Sequence, residues 1–517
     1  MVVTTSAAWA TFGDLDLSIV RRLEPSSLVH LSQGQLRDLV ATNQSTQAFT
    51  TAFEHGDELF ATVFTIPDGV GAYVSKTERF TRLPRADLTG PGEWATHTPK
   101  RATGPNAQSC TACHGLPVED GAGGISSNAV RDPTRSGSIS NFIQRNTPHT
   151  FALGALQRLA EEMTVELQAI RSGARDYVCT NGGSTTRALL TKGTRFGTIK
   201  ATRTSSSPCQ VSWDTSNVQG IDADLIVRPF QWKGSVKTVR EFVRDAAHNE
   251  LGMQGVEIVG FGVDGDSDGV TDELSIGDIT SLTIYQAAQP RPTTRTELAA
   301  LGLATLATGE AEAITRGNQV FRDIGCAACH QPRMYLDDPI FSEPSRTPSS
   351  WPSWLAWPYR DAKFPTGQDP VTYGVDPANS ISFDLTRDQP DNRVKNSSGL
   401  TVRLGSFRRD GTLPQPRAII ELLGDLKRHS MGIALAEPIK DDGVAEDTFM
   451  TENLWGVGST APYMHDGRAS TLTEAIHWHG GEAEPSRNAF FALTNEADQK
   501  ALIAFLNNQV LFKVEAG

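Results

Sequence analysis

Apolar residues recur at helical spacing in several separate stretches of the chain. Over 43–64, Phe49, Phe53, Phe60 and Phe64 form a helix-compatible stripe. Over 151–171, Leu153, Leu156, Leu159, Met163, Leu167 and Ile170 mark a strong amphipathic helix whose apolar face reads as core. The period then changes. Between 177 and 227, β-type composition with Ser- and Gly-rich breaks predicts an extended excursion, around Val178, 194–202 and 211–213. Helices return over 236–249 and 275–288, the second with Ile276, Ile279, Leu282 and Tyr285 on one side and Asp278 near its start. Pro290-Arg291-Pro292 punctuates the chain and predicts a domain boundary. Beyond it, helices are predicted over 312–324, 418–428, 472–478 and 492–509, and 344–384, rich in Pro, Ser and Trp, reads as a long surface excursion. The expectation is a mainly α chain of two domains, 1–290 and 291–517, with long irregular loops and a small β excursion.

Composition changes this picture little. The 517 residues, 38% of them apolar, can build a sizeable core. The net charge of −13 argues against a nucleic-acid partner, because phosphate binding needs a basic surface. It suits docking of a basic electron carrier. No apolar run approaches the roughly 18 residues of a membrane span.

The chemistry lies in the cysteines. Cys326-Ala327-Ala328-Cys329-His330 reads C-x-x-C-H, and the pattern recurs at Cys110-Thr111-Ala112-Cys113-His114. This is the spacing for covalent attachment of a c-type haem: each thiol forms a thioether to a vinyl group and the histidine becomes the proximal iron ligand. A zinc knuckle would need the two pairs to converge on one metal across more than 200 residues of chain. A redox C-x-x-C has no use for the histidine. Two covalent haems c are therefore expected, one per domain.

Cys179 and Cys209 remain, either as a disulfide stapling the β excursion or as two buried thiols. A disulfide and haem attachment both fit a periplasmic or secreted protein. Residues 1–17 lack the basic-then-apolar pattern of an export signal, so a mature or trimmed form is expected. Asp264-Gly265-Asp266-Ser267-Asp268-Gly269-Val270 continues to Asp272-Glu273, a D-x-D-x-D-G loop able to converge carboxylates on Ca2+. Candidate ligands are Asp264, Asp266, Asp268, Val270 and Asp272. Ser275 stands where an EF-hand places its glutamate, and a solvated acidic turn is the alternative.

Ala461-Pro462-Tyr463-Met464-His465-Asp466-Gly467-Arg468, followed by His477-Trp478-His479-Gly480-Gly481-Glu482, resembles the C-terminal block of bacterial di-haem cytochrome c peroxidases and MauG enzymes. In that family a P-Y-x-H-D-G segment packs on the second haem, and an iron ligand follows fourteen residues after its histidine, here His479. The family has methionine or tyrosine there, so histidine departs from it and implies a bis-histidine, low-spin haem. His477 is the rival; a helix turns residues two apart to different faces, so one alone can ligate. The chain is more similar still to the di-haem oxidoreductase branch that includes the rubber oxygenase RoxA. That likeness rests on Gly104-Pro105-Asn106-Ala107-Gln108-Ser109-Cys110, Arg228-Pro229-Phe230-Gln231-Trp232-Lys233-Gly234, His248-Asn249-Glu250-Leu251-Gly252-Met253, Asp425-Leu426-Lys427-Arg428-His429 and Leu454-Trp455-Gly456, and covers about 50–515.

The resemblance implies that Trp232 relays electrons between the haems; a packed core tryptophan is the compatible alternative. It brings His248 and Glu250 over the distal face of the first haem, as groups able to move a proton during O–O cleavage. Phe242, Ala246 and Ala247 replace the family's glutamine and proline region, and Glu250 matches its glutamate only with a two-residue shift. The implied function is peroxidase-type reduction of H2O2 at the first haem, with electrons from a small redox protein relayed through the second. An apolar distal pocket points alternatively to O2 and an oxygenase cleaving an unsaturated hydrocarbon such as polyisoprene. A third reading is an electron-transfer cytochrome with both irons six-coordinate. His465 is expected to pack at the second haem without ligating it. His429 is expected at a propionate or at the surface, and His149 near the first haem.

Overall fold

The computed structural model describes residues 22–71, 80–81, 105–131, 139–265, 268–349, 351, 356–387, 390, 393–412 and 417–513. Two helix pairs brace the two C-x-x-C-H segments. In the first, α2 (Ser45–Ala61) follows a short α1 (Gln33–Ala41) and packs on a later helix, α5 (Ile276–Ala287). The approach is close because Gly56 has no side chain: a Cβ there would lie 2.3 Å from the Ser281 carbonyl oxygen. In the second pair, α6 (Glu310–Asp323) packs on α9 (Glu496–Asn507), and Gly317 performs the same service, with a Cβ 1.9 Å from the Ala501 oxygen. Each pair turns an aromatic ring toward its motif, Phe60 toward His114 at 6.0 Å and Phe321 toward His330 at 6.3 Å between ring centroids.

Between the pairs, α3 (Leu153–Asn181) runs well beyond the predicted 171, burying Leu156, Leu159, Met163 and Leu167 and then Ala174 and Val178. Its last turn carries Cys179, disulfide-bonded to Cys209. That bond ties the helix to an antiparallel meander of β1 (Ser184–Thr191), β2 (Thr194–Ser206) and β3 (Cys209–Asp214). The predicted extended segment is thus a three-stranded sheet stapled at its edge. Downstream, α4 (Val239–Ala246) starts at an N-cap Thr238 and passes into a π-helical turn, Ala247–Leu251. The C-terminal half adds α7 (Leu472–Trp478) and α8 (Glu484–Phe491) before α9; the predicted single helix over 492–509 begins only after its Asn495 cap.

Three expectations need correction. The chain is 36% helix and 18% strand, a mixed α/β architecture with several small sheets rather than a mainly α one. Residues 418–428 are no helix. Arg417–Ile420 is a strand between Arg408–Asp410 and Met334–Leu336, and Arg428–Ser430 pairs with Thr448–Met450. Ala418 and Ile420 alternate with more exposed neighbours along that strand, a period of two that a short apolar run does not distinguish from a helix turn. Nor is 344–384 a surface excursion: Trp357, Tyr359, Phe364, Ile381 and Phe383 are buried, and Trp351 stands edge-on to Trp357 with ring centroids 5.1 Å apart. One hydrophobic cluster joins residues from both sides of position 290, Leu156 and Tyr285 together with Phe341, Ile420 and Trp455. A buried cation fastens the C-terminal segment to the first half. Lys513 Nζ lies 2.6 Å from Asp120 Oδ2 and 3.0 Å from the Tyr285 hydroxyl, which donates to the same carboxylate at 2.9 Å. No helix among the described residues is long and apolar enough to cross a membrane.

Candidate haem-binding site

Each C-x-x-C-H segment opens into its own large, mainly apolar cavity. The first is lined by Cys110, Cys113 and His114 with Leu59 and Phe60 of the first helix pair and Phe64 just beyond it. The second is lined by Cys326, Cys329 and His330 with Phe321, Leu502 and Leu506 of the second pair. The four cysteines are free thiols, available for thioether bonds.

The histidines fit axial ligation of iron. His114 Nδ1 donates to the Pro148 carbonyl at 2.9 Å, His330 Nδ1 to Leu423 at 3.0 Å and His479 Nδ1 to Ala475 at 2.8 Å. A backbone carbonyl on one ring nitrogen fixes the tautomer and leaves Nε2 for a metal. Burial pushes His114 and His330 down to about 4 and lowers His479 too, so all three imidazoles are neutral and ligand-ready at pH 7. His330 and His479 face each other across the second cavity with ring centroids 6.3 Å apart. Two imidazoles on one metal, each with a metal–nitrogen bond of about 2.0 Å, need roughly that separation. His479 is the C-cap of α7 and lines the cavity. His477, two residues back, packs edge-on against Trp478 and Phe491 outside that lining.

Trp232 lines both cavities. Its Nε1 donates to the Asn146 carbonyl at 3.0 Å, its own carbonyl accepts from Met450 N at 2.9 Å, and its ring meets His465 edge-on at 6.4 Å. The next residue anchors it: Lys233, fully buried, donates to the carbonyls of Ala445, Glu446 and Thr448 and sits 3.8 Å from the Phe449 ring centre. Gly234, at φ +60°, lets the chain turn beneath Met450, whose Sδ would lie 2.4 Å from a Cβ there. His465 stacks on Phe449 at 4.2 Å in the wall of the second cavity, and His149 lines both cavities.

Over the first cavity, α4 and the π turn present Phe242, Val243, Asp245, Ala246, Ala247, Asn249, Glu250 and Leu251, with no histidine, cysteine or methionine among them. Asn106 Nδ2 donates to Glu250 Oε2 at 2.8 Å and holds that carboxylate. His248 is buried and is not among the lining residues. Sequence reading passed over Asp245 and Glu452. Burial raises Asp245 to about 6, and Glu452, which lines both cavities, to about 7. Neither sits in a motif; only the folding of α4 and of the segment after Met450 brings them to the cavities.

His429 is buried in the second cavity's wall between two carboxylates, with Nε2 2.8 Å from Asp425 and Nδ1 2.8 Å from Glu482. Burial lowers it, but the Asp425 hydrogen bond and the nearby Cys329 sulfur overcome this and raise it to about 10. It is therefore no surface residue. In the acidic loop, Asp266 lies outside the described residues. Asp264 accepts from the amides of Asp268 and Gly269, Asp268 from Val270 and Asp272 from Gly262. These acids close the loop on its own backbone, and the described residues gather no three-ligand metal cluster there.

Residues 417–509 match the family described as "Di-haem oxidoreductase, putative peroxidase". No curated protein matches. Among solved structures, a MauG-like protein associated with microbial copper homeostasis is 14% identical, covering 69% of this chain and 89% of its own, at a TM-score of 0.26. Kuenenia stuttgartiensis hydrazine synthase is 15% identical, covering 87% and 94%, at 0.28. The matched segment contains the Pro462–Gly467 motif and the facing His479, so the likeness to the di-haem oxidoreductase family lies in this C-terminal block.

Proposed function

We propose that the protein carries two covalently attached haems c, one in each half of the chain (1–290 and 291–517), and reduces H2O2 at the first with electrons relayed from the second. The observation that carries this reading is the asymmetry of the two cavities. The second sets His479 against His330, which saturates an iron and suits storage of an electron. In the first, the wall formed by α4 and the π turn offers a held carboxylate and small apolar side chains. Each haem, when bound, supplies an iron able to exchange single electrons. The protein's own groups do the rest. His114 orients the first haem through its bond to Pro148. Glu250, aimed by Asn106, delivers a proton to the departing oxygen of the peroxide. Trp232, gripped through Lys233 and Met450, supplies an aromatic bridge in the wall common to both cavities. The overall change is H2O2 plus two electrons and two protons giving two waters.

The disulfide supports a periplasmic or secreted location, where a small reduced redox protein serves as donor. The Ca2+ expected at Asp264, Asp266, Asp268, Val270 and Asp272 stands as a separate proposal, tested by metal analysis before and after EGTA. A second reading has its own observation: Phe242, Ala246 and Ala247 make part of the first cavity's wall apolar, as suits O2 and a hydrocarbon. Mixing the haem-loaded protein with a pre-reduced donor decides between them. Donor oxidation on adding H2O2 supports the peroxidase. Consumption of O2 with polyisoprene and no donor supports the oxygenase. Neither response, with reduced irons that ignore CO, makes the protein an electron carrier.

A further inference from the structure

We infer that Glu452 is a proton-loading group: its carboxyl binds a proton as the haem sites gain electrons and releases it when they are reoxidised. The inference rests on the two-haem reading and adds to it a residue that neither the motifs nor the family match assigns.

The geometry is specific. Glu452 stands two residues after the strand Thr448–Met450, whose last amide bonds Trp232. The backbone around it is fixed, with Thr451 N on the Lys427 carbonyl at 3.0 Å and Leu454 N on the Leu422 carbonyl at 3.2 Å. From that position its side chain lines both cavities, as Trp232 does. No hydrogen bond or ion pair engages its carboxyl among the described residues, and burial alone raises its affinity for a proton, to about 7. An ionised carboxylate in such a place is costly unless a counter-charge or a proton arrives.

The charged neighbours do not supply that counter-charge. From the first cavity, Arg145 is spent on Glu437 and Asp441, Lys233 on carbonyls and Glu437, and Asp245 and Glu250 are acids themselves. From the second, His429 is committed to Asp425 and Glu482, while burial holds His465 and His149 neutral, at about 4 each. Arg487, also in that wall, pairs with Glu484, and Tyr463 is uncharged at neutral pH.

The balance is simple. One electron from a reduced donor adds one negative charge to this poorly solvated region. One solvent proton forms the O–H bond of neutral Glu452 and cancels it; no other bond changes. The same proton then stands in the wall of the cavity where peroxide reduction consumes protons.

The test is a spectroelectrochemical titration of the haem-loaded protein between pH 6 and 8.5, for the wild type, Glu452→Gln and Glu452→Asp. The wild-type midpoint potential of at least one haem is expected to fall with pH. For a one-electron couple the limit is about 59 mV per tenfold change in proton activity. Glu452→Gln, equal in shape, is expected to flatten that slope, and Glu452→Asp to keep it. A slope unchanged in Glu452→Gln, or no slope in the wild type, with both haem spectra present, overturns the role of Glu452 alone. Absence of haem absorption from the purified protein overturns the two-haem reading and this inference with it.

Discussion

The imidazoles of His330 and His479 stand opposite each other in the second cavity with centroids 6.3 Å apart and ring planes 52° apart, although 149 positions of sequence separate them. One comes from the motif at the end of α6, the other from the C-cap of α7. Each is aimed by a backbone carbonyl, so the pair is preorganised for a single iron. His479→Ala is therefore expected to convert one haem of two from low-spin to high-spin in the absorption and EPR spectra. His477→Ala, removing a ring packed on Phe491, should leave both signals unchanged.

Trp232 predicts a kinetic effect without a structural one. Trp232→Phe keeps an aromatic ring but loses the bond to Asn146. Stopped-flow mixing of reduced protein with H2O2 is expected to show transfer from the second haem slowed by about tenfold or more, with haem content unchanged. Equal rates would make Trp232 a packing residue only.

For the proton donor, Glu250→Gln is expected to lower peroxide turnover by about 10²–10⁴, the usual worth of a positioned acid or base. His248→Ala, at a buried position outside the cavity lining, is expected to retain turnover within a few fold. The reverse pattern would hand the distal role to His248.

How much of this was legible beforehand follows from what each signal depends on. Cys110, Cys113, His114 and their counterparts are local chemistry at fixed spacing, and the structure gives each set its own cavity. The long helices were readable because a buried stripe repeats along them. Ala418 and Ile420 were not, since their strand exists only through pairing with distant partners, Leu336 and Met334 among them. Trp357 and Phe364 looked like loop residues because proline and serine surround them, yet they are buried. Glu452 and Asp245 carry no local pattern at all; their place is set by tertiary approach.

A fourth prediction concerns the amino-terminal segment. Asp278 caps α5 and binds His30 at 2.7 Å and His55 at 2.8 Å. The Asp278 hydrogen bond outweighs burial and raises His30 above its ordinary value. A raised imidazole contributes stability that is fully present below its unfolded value of about 6.5 and lost as pH rises through the folded one. The melting temperature of His30→Ala should thus fall furthest below wild type near pH 5.5, and the gap should narrow at alkaline pH. A gap independent of pH would show that the ring acts by packing.

A fifth concerns the staple. Removing the Cys179–Cys209 bond, which closes a separation of 30 residues, with a double serine variant should cost about 3 kcal/mol in denaturant unfolding. Haem spectra should not change, because the β meander lines neither cavity.

The buried grip of Lys513 on Asp120 spans 393 positions. Asp120 follows the first C-x-x-C-H by six residues, and its carbonyl also takes the Thr150 amide just beyond the Pro148 carbonyl that steadies His114. During synthesis this loop emerges with its counter-charge still unmade. Until Lys513 follows, the Asp120 carboxylate must stay solvated or take up a proton, because burying it without its counter-charge is costly.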